Sequence, residues 1–353
     1  TIAVTGSSGM IVNNYLENCQ GNAIGLDGAG FGLIHGNYMV GAANANAAID
    51  NFGQRMCITD NFIYNYSAAG VGTVIRAVAS PSAPYAIIAN NHLVGCKGVG
   101  IDIADNIYTL VNGNYLVGSS QSTWGVVGFG KQSVVSDNII DWYGYNDGYA
   151  IHSTANANGS IISSNIITAP KGTMPACIAL GGGADAVTIA NNSMGLSTAT
   201  VTQVGIELYH TIGCLVIGNR IVGEQLAVGK PAINNVGSGT LVASNRILRP
   251  NGAGIWAVNS VWCLIANNQV MYPPSAPSSS APFGIVAWRG GDMAIVGNTT
   301  FADHSSGAGI YVPSSDRCLI ANNVVWMYSA SIWVRQLDSD PSTFCLVTGN
   351  YVQ

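Results

Sequence analysis

Hydrophobic positions along the chain fall in short alternating runs broken by glycine, asparagine and serine, a strand pattern with no sustained helical period. One motif recurs from end to end: two or three aliphatics, one or two small or polar residues, asparagine, any residue, then an aliphatic. It reads Ile11-Val12-Asn13-Asn14-Tyr15-Leu16 early, Val134-Val135-Ser136-Asp137-Asn138-Ile139-Ile140 midway and Leu319-Ile320-Ala321-Asn322-Asn323-Val324-Val325 late. The repeated asparagines are Asn14, Asn37, Asn61, Asn91, Asn114, Asn138, Asn165, Asn192, Asn219, Asn245, Asn268, Asn298, Asn323 and Asn350, at intervals of 23 to 30 residues. Self-similarity at that period marks a solenoid. Helical repeats would need Ala/Leu/Glu/Lys-rich segments, which the chain lacks. The expected fold class is therefore all-β: one right-handed parallel β-helix domain over residues 1–353, of about fourteen coils with an internal asparagine ladder, coils stacking at about 4.8 Å.

The repeated asparagine has a physical task. At a bend between strands its amide can donate and accept along the axis to the same amide one coil away, satisfying buried polar groups with no charge. It also tolerates a left-handed backbone at the bend. A second strand repeats as small–Ile–x–aliphatic, as in Gly100-Ile101-Asp102-Ile103, Gly205-Ile206-Glu207-Leu208 and Gly309-Ile310-Tyr311-Val312. Alternation turns the isoleucine inward and the next residue outward. The outward column then reads Gly25, Asp50, Arg76, Asp102, Val127, His152, Ala179, Glu207, Asn234, Trp256, Val286, Tyr311, Trp333.

Composition sharpens this picture. Charged residues make up 8% of the chain and hydrophobic ones 48%, with 44 glycines and a net charge of −5. Disorder is excluded by the aliphatic content, no apolar run could span a bilayer as a helix, and no basic stripe invites nucleic acid. The opening Thr1-Ile2-Ala3-Val4-Thr5-Gly6 has no basic leader segment, so a processed chain or a piece of a longer one is expected, as it is from the lack of capping segments at either end. Of eight cysteines, Cys214, Cys263, Cys318 and Cys345 recur five residues before a repeated asparagine, a placement suited to small core hydrophobes; free thiols are expected, with disulfides between neighbouring coils as the alternative. Dispersed histidines and the absence of a phosphate loop give no reason to expect a metal or any other cofactor.

In so uncharged a chain, one column collecting Asp50, Arg76, Asp102, His152 and Glu207 with three aromatics is the candidate site. Glycoside hydrolysis wants two carboxyls about 5 Å apart for retention or about 6.5–9.5 Å for inversion. Asp50 and Asp102, two coils apart, nominally suit inversion; with Arg76 between them they also read as a surface ladder of alternating charge. Glu207 is the first choice for a general acid, with His152 or Asp185 as partner, or it is a solvated face residue. An aspartate–histidine pair could equally serve as base in β-elimination, Arg76 neutralising a uronate. Substrate contacts are expected from Trp256, Trp288, Tyr311 and Trp333. The segment Asp141-Trp142-Tyr143-Gly144-Tyr145-Asn146-Asp147-Gly148-Tyr149 adds a sugar clamp, with Trp142, Tyr143, Tyr145 and Asp147 as its contacts, or a loop packed on a neighbouring subunit. The residue after each ladder asparagine forms another outward column, opening Tyr15, Tyr38, Phe62, His92, Tyr115, Ile139, Ile166. A contiguous apolar stripe of that kind suits a homo-oligomer contact, a second glycan groove or a surface covered by loops.

Through its Val-x-x-Asn-x-Ile coils the chain resembles the pectate-lyase-like right-handed β-helix superfamily over essentially its whole length. Low charge and Gly/Asn/Ser richness look most like a bacteriophage tailspike shaft. That resemblance implies a homotrimer at the cell exterior or virion surface that binds, and often cleaves, bacterial surface polysaccharide. Gly28-Ala29-Gly30 and Gly36-Asn37-Tyr38-Met39-Val40-Gly41-Ala42 also look somewhat like the trimeric fructan-cleaving enzymes. No polygalacturonase-like Asn-Thr-Asp, epimerase-like Asp-Pro-x-x-Gly or dense aspartate cluster is found. The expected function is binding and cleavage of an extracellular polysaccharide by a glycosidase or lyase mechanism; the alternative is a non-catalytic fibre, surface-layer or adhesin shaft.

Overall fold

The protein's structure, a computed structural model, describes residues 1–6, 8–19, 21–28, 30–41, 43–45, 47–52, 55–68, 72–77, 85–103, 106–141, 148–153, 157–168, 175–195, 204–223, 229–272, 283–302, 307–326, 328–335 and 344–353. The chain forms two compact units, Thr1–Leu180 and Gly181–Gln353. Each is a right-handed parallel β-helix whose coil contributes one strand to each of three sheets, here A, B and C.

In the first unit, sheet B runs through Ser8–Val12, Phe31–His35, Met56–Thr59, Ala86–Ala89, Leu110–Asn112, Val134–Ser136 and Ile161–Ser163. All pair in parallel, with Ile11, Ile34, Ile58, Ile88, Val111, Val135 and Ile162 facing the core in one register. Sheet C follows each bend and sheet A closes the coil; the long strand His92–Asp102 passes from C into A. The second unit repeats the scheme, its sheet B running from Thr188–Ala190 to Leu346–Thr348. Inward isoleucines such as Ile101, Ile151, Ile255 and Ile310 are fully buried.

The bends are built as expected in one respect and differently in another. Within each unit the ladder is continuous: Asn37 donates Nδ2–H to Asn61 Oδ1 at 2.9 Å while the same oxygen accepts the Asn37 backbone N–H at 3.0 Å. The pattern holds from Asn14 to Asn165 and from Asn192 to Asn350. The left-handed backbone, however, belongs to the residue before each ladder asparagine, among them Asn90 (φ 54), Gly113 (φ 66) and Asp137 (φ 56). The ladder residue must keep an extended backbone so that its amide enters the core, and the sharp change of direction falls one residue earlier.

That earlier column carries a rule of its own. Asn13, Asn90, Asn191, Asn267 and Asn322 are each followed one coil later by a glycine: Gly36, Gly113, Gly218, Gly297 and Gly349. A Cβ at Gly113 would stand 2.6 Å from Asn90 Oδ1, and one at Gly218 would stand 2.4 Å from Asn191 Oδ1. The asparagine amide leans over the next coil and occupies the space a side chain would need.

All eight cysteines are free, and Cys214, Cys263 and Cys318 are buried in the core as small hydrophobes. Burial pushes the Cys318 thiol up to about 12, so it stays protonated and inert at neutral pH.

Candidate functional site

In the first unit, the register of sheet A lines up Gly25, Asp50, Arg76, Asp102, Val127, His152 and Ala179 in that order. Arg76 is exposed between two aspartates on neighbouring strands. Asp50 accepts a hydrogen bond from Asn22 Nδ2 at 2.8 Å, and its other oxygen is buried without a partner. Burial raises the Asp50 carboxyl above its ordinary value of 3.8, against the pull of Arg76 and the Asn22 hydrogen bond. A carboxyl raised in the folded state favours folding in its protonated form, and that contribution is lost as pH rises through the folded pKa. Asp50→Asn is therefore expected to raise the urea unfolding midpoint at neutral pH. The gain should vanish below about pH 3.9, where the unfolded aspartate is also protonated. Equal midpoints for the two proteins at pH 7 would contradict this reading.

His152 sits two coils beyond Asp102 in the same column. Its ring stacks on Tyr149 at 4.7 Å and meets Trp124 at 5.9 Å, flanking aromatics that precede their strands and so escaped the column reading. Burial lowers its pKa, and Nδ1 is buried without a hydrogen bond, so the imidazole is neutral and holds an unused polar atom. Trp142, Tyr143, Tyr145 and Asp147, the expected clamp, lie outside the described residues. Val127 and Ala179, although outward in register, are 5% and 4% exposed. At these two positions the outward side chains are covered.

In the second unit, the outward column of sheet A reads Glu207, Asn234, Trp256, Val286, Tyr311 and Trp333. Asn234 Nδ2 donates to Glu207 Oε1 at 3.4 Å. No other carboxylate occurs on this unit's described sheet A strands, so Glu207 has no acidic partner there. Asp185, the suggested alternative, instead accepts the backbone N–H of Ile212 at 2.9 Å. His152 lies in the first unit.

What gathers here is aromatic surface. Trp256 and Trp288 stack with centroids 6.2 Å apart and planes 11° apart. Phe283 stacks on Tyr311 at 5.2 Å, and Tyr311 meets Trp333 at 5.0 Å. Arg289 and Arg335 lie over Trp288 and Trp333 at 5.6 and 5.0 Å. The Trp256 indole N–H is buried with no acceptor. Phe283 was missed in the sequence because it precedes the Gly-Ile pair, where Gly254, Gly284 and Gly309 turn inward against Val270, Thr300 and Val325 and reset the alternation.

The column after the ladder asparagines is outward as expected. Tyr15, Tyr38 and Phe62 stack at 5.4 and 5.0 Å, followed by His92 and Tyr115 at 6.0 and 5.8 Å. A further outward column, on sheet B, is aliphatic in both units apart from Cys57 and Thr188, from Met10, Ile87 and Ile161 to Leu264, Leu319 and Leu346.

No protein-family model matches the chain, and no curated protein matches it significantly. Among solved structures it is similar to the A-module of the Azotobacter vinelandii mannuronan C-5 epimerase AlgE6, with TM-score 0.54 and 11% identity over 98% of this chain and 91% of that one. A mannuronic acid specific polysaccharide family 6 lyase from human gut microbiota gives TM-score 0.51 and 13% identity, over 96% and 77%. The catalytic unit of a thermostable GH87 α-1,3-glucanase from Streptomyces thermodiastaticus gives 0.51 and 11%, over 98% and 63%. The likeness is one of fold, the right-handed parallel β-helix.

Proposed function

We propose that this protein, located extracellularly or at a virion surface, binds an extracellular or bacterial surface polysaccharide on sheet A and cleaves it. The observation that carries the proposal is the run of ring faces in the second unit, Trp256–Trp288 and Phe283–Tyr311–Trp333. Stacked rings lined along a rigid sheet present a strip of aromatic edges, with partly exposed Trp333 at its end, against which the C–H faces of successive sugars can pack. The solved structures of the same fold named above act on mannuronan, mannuronic acid polymers and an α-1,3-glucan. Asp50, Arg76, Asp102 and His152 supply acid, base and anion-pairing groups on sheet A of the first unit, with Arg76 placed to neutralise a uronate carboxylate.

Binding is tested by calorimetry on a panel of neutral and acidic glycans. Tyr311→Ala, which breaks the ring run at its centre, is expected to weaken binding by about 30-fold, the equivalent of about 2 kcal/mol. Trp256→Ala should act similarly. Glycan affinity that ignores both substitutions would remove the ring run from the binding surface. An absence of binding to every glycan would favour the structural shaft, for which the long outward aliphatic column of sheet B speaks. Self-association as a homotrimer through Tyr15, Tyr38, Phe62 and Tyr115 is part of the same proposal. A monomer mass in sedimentation equilibrium would exclude it.

A further inference from the structure

Sheet C of the second unit carries a like-charged pair that the sheet A surface does not use. Arg220 and Arg246 are register partners on adjacent strands, and both are exposed. Neighbouring strands lie about 4.8 Å apart, so the two guanidinium stems run side by side. Neither makes a side-chain hydrogen bond or ion pair among the described residues. Several other arginines are partnered: Arg317 grips Asp292 at 2.6 and 2.8 Å, Arg289 and Arg335 lie on tryptophans, and Arg76 stands between two aspartates in register, whereas exposed Arg55 is, like this pair, without a side-chain partner among the described residues.

The surroundings make this costly. The described sheet C strands of the unit, from Ser193–Gly195 to Tyr351–Val352, contain no aspartate or glutamate, and the bends before them contain none. Like charges directly opposite on neighbouring strands destabilise a sheet. The same column takes neutral residues at Ser193, Gln269 and Thr299, so the sheet does not require arginine there. Two residues along, Val222 and Leu248 are register partners on the same face, so no charge adjoins the pair there.

We propose that Arg220 and Arg246 form a two-pronged binding site for an oxyanion carried on a polymer: a carboxylate, a sulfate ester or a phosphate ester. Two forks of N–H donors one strand apart can hold several oxygens of one such group, or bridge groups on adjacent units of a chain. Anion binding would also relieve the repulsion between the two cations. The site is separate from sheet A and stands whether or not that face binds glycan.

The test measures binding of polygalacturonate, dextran sulfate, polyphosphate and neutral dextran to the full chain at low and physiological salt. The double variant R220Q/R246Q is compared with K131Q/K230Q, which removes the same net charge at two other exposed positions. The arginine variant is expected to lose about tenfold or more in affinity for at least one polyanion, with a weaker salt dependence and an unchanged or raised unfolding midpoint. The lysine variant should stay within about twofold, and dextran should be indifferent to both. The polyanion that loses most identifies the oxyanion. Equal losses in the two double variants, or no binding of any polyanion by wild type, would overturn the proposal. Loss of neutral-glycan binding in Tyr311→Ala with the polyanion site intact would separate this site from the sheet A reading.

Discussion

Replacing Asn138 by alanine is expected to reduce unfolding free energy by about 4 kcal/mol, a large effect for one uncharged side chain. Its Oδ1 accepts the backbone N–H of Asn114 at 2.9 Å and the Asn114 amide at 2.9 Å. Its Nδ2 donates to Val111 O at 3.0 Å and Asn165 Oδ1 at 2.9 Å. Alanine deletes both roles where neither water nor a neighbouring side chain can replace them, since Asn114, Asn138 and Asn165 are 1%, 0% and 0% exposed. The Asn114 backbone N–H is left buried and unpaired, at about 1–3 kcal/mol, and the emptied space adds to that. Asn138→Asp should be worse, because a carboxylate accepts but cannot donate to the Val111 carbonyl. Urea denaturation followed by circular dichroism provides the measurement, with exposed Lys131→Ala as the control expected to stay within about 0.5 kcal/mol. A loss for Asn138→Ala no greater than the control's would mean that the ladder aligns the coils without stabilising them.

The second large effect concerns turnover. Asp50→Asn and Asp102→Asn are each expected to lower polysaccharide cleavage by about 100-fold or more, the usual weight of a positioned acid or base. The two carboxyls belong to alternate coils, so their stems are about 9.6 Å apart, near the outer limit for an inverting pair, with a cation between them. Their surroundings differ: burial raises the Asp50 carboxyl above its ordinary value, and Arg76 stands between it and Asp102 in register. Glu207→Gln, lacking a second acid on its own sheet, is expected to keep turnover within about threefold. Reducing-end release is measured together with absorbance of unsaturated uronate products. Reducing ends alone signify hydrolysis, and a rise in both signifies elimination. Asp50→Asn should thus be both more stable and less active, the signature of a residue retained for chemistry against folding. Cleavage abolished by Glu207→Gln and untouched by the aspartate substitutions would move the site to the second unit.

Much of this was legible in the chain. The ladder needs one asparagine per coil, so its spacing numbers the coils, and the alternation of the Ile strand then sets the outward column. Arg76 and Val127 fall in that column as read. What escaped has physical reasons. In runs such as Leu215-Val216-Ile217, three consecutive aliphatics hide which one faces out, so the outward aliphatic column of sheet B passes for core. The burial of Val286 at 4% despite its outward direction depends on neighbours from other coils, which a period-two pattern cannot see. Tyr149 and Trp124 reach His152 from outside the strands. Glu207 was chosen from its place in the outward column, with His152 or Asp185 as partner, and the neighbour in register, Asn234, which donates to it, could not be weighed without the fold.

The asparagine that leans over the following coil has a consequence for how such a chain can change over generations. Asn90 and Gly113 are 23 positions apart in the sequence, yet a side chain at the glycine requires the asparagine amide leaning over it to turn away or be lost. Related sequences should therefore show these positions substituting as couples, one coil apart, with no loop or ligand linking them. Copying a single coil that carries the asparagine would set asparagine over asparagine and demand a repair at the new junction. Copying the Asn–Gly pair of coils together would leave each asparagine facing a glycine. Lengthening by two coils at a time is therefore the easier route wherever this couple occurs.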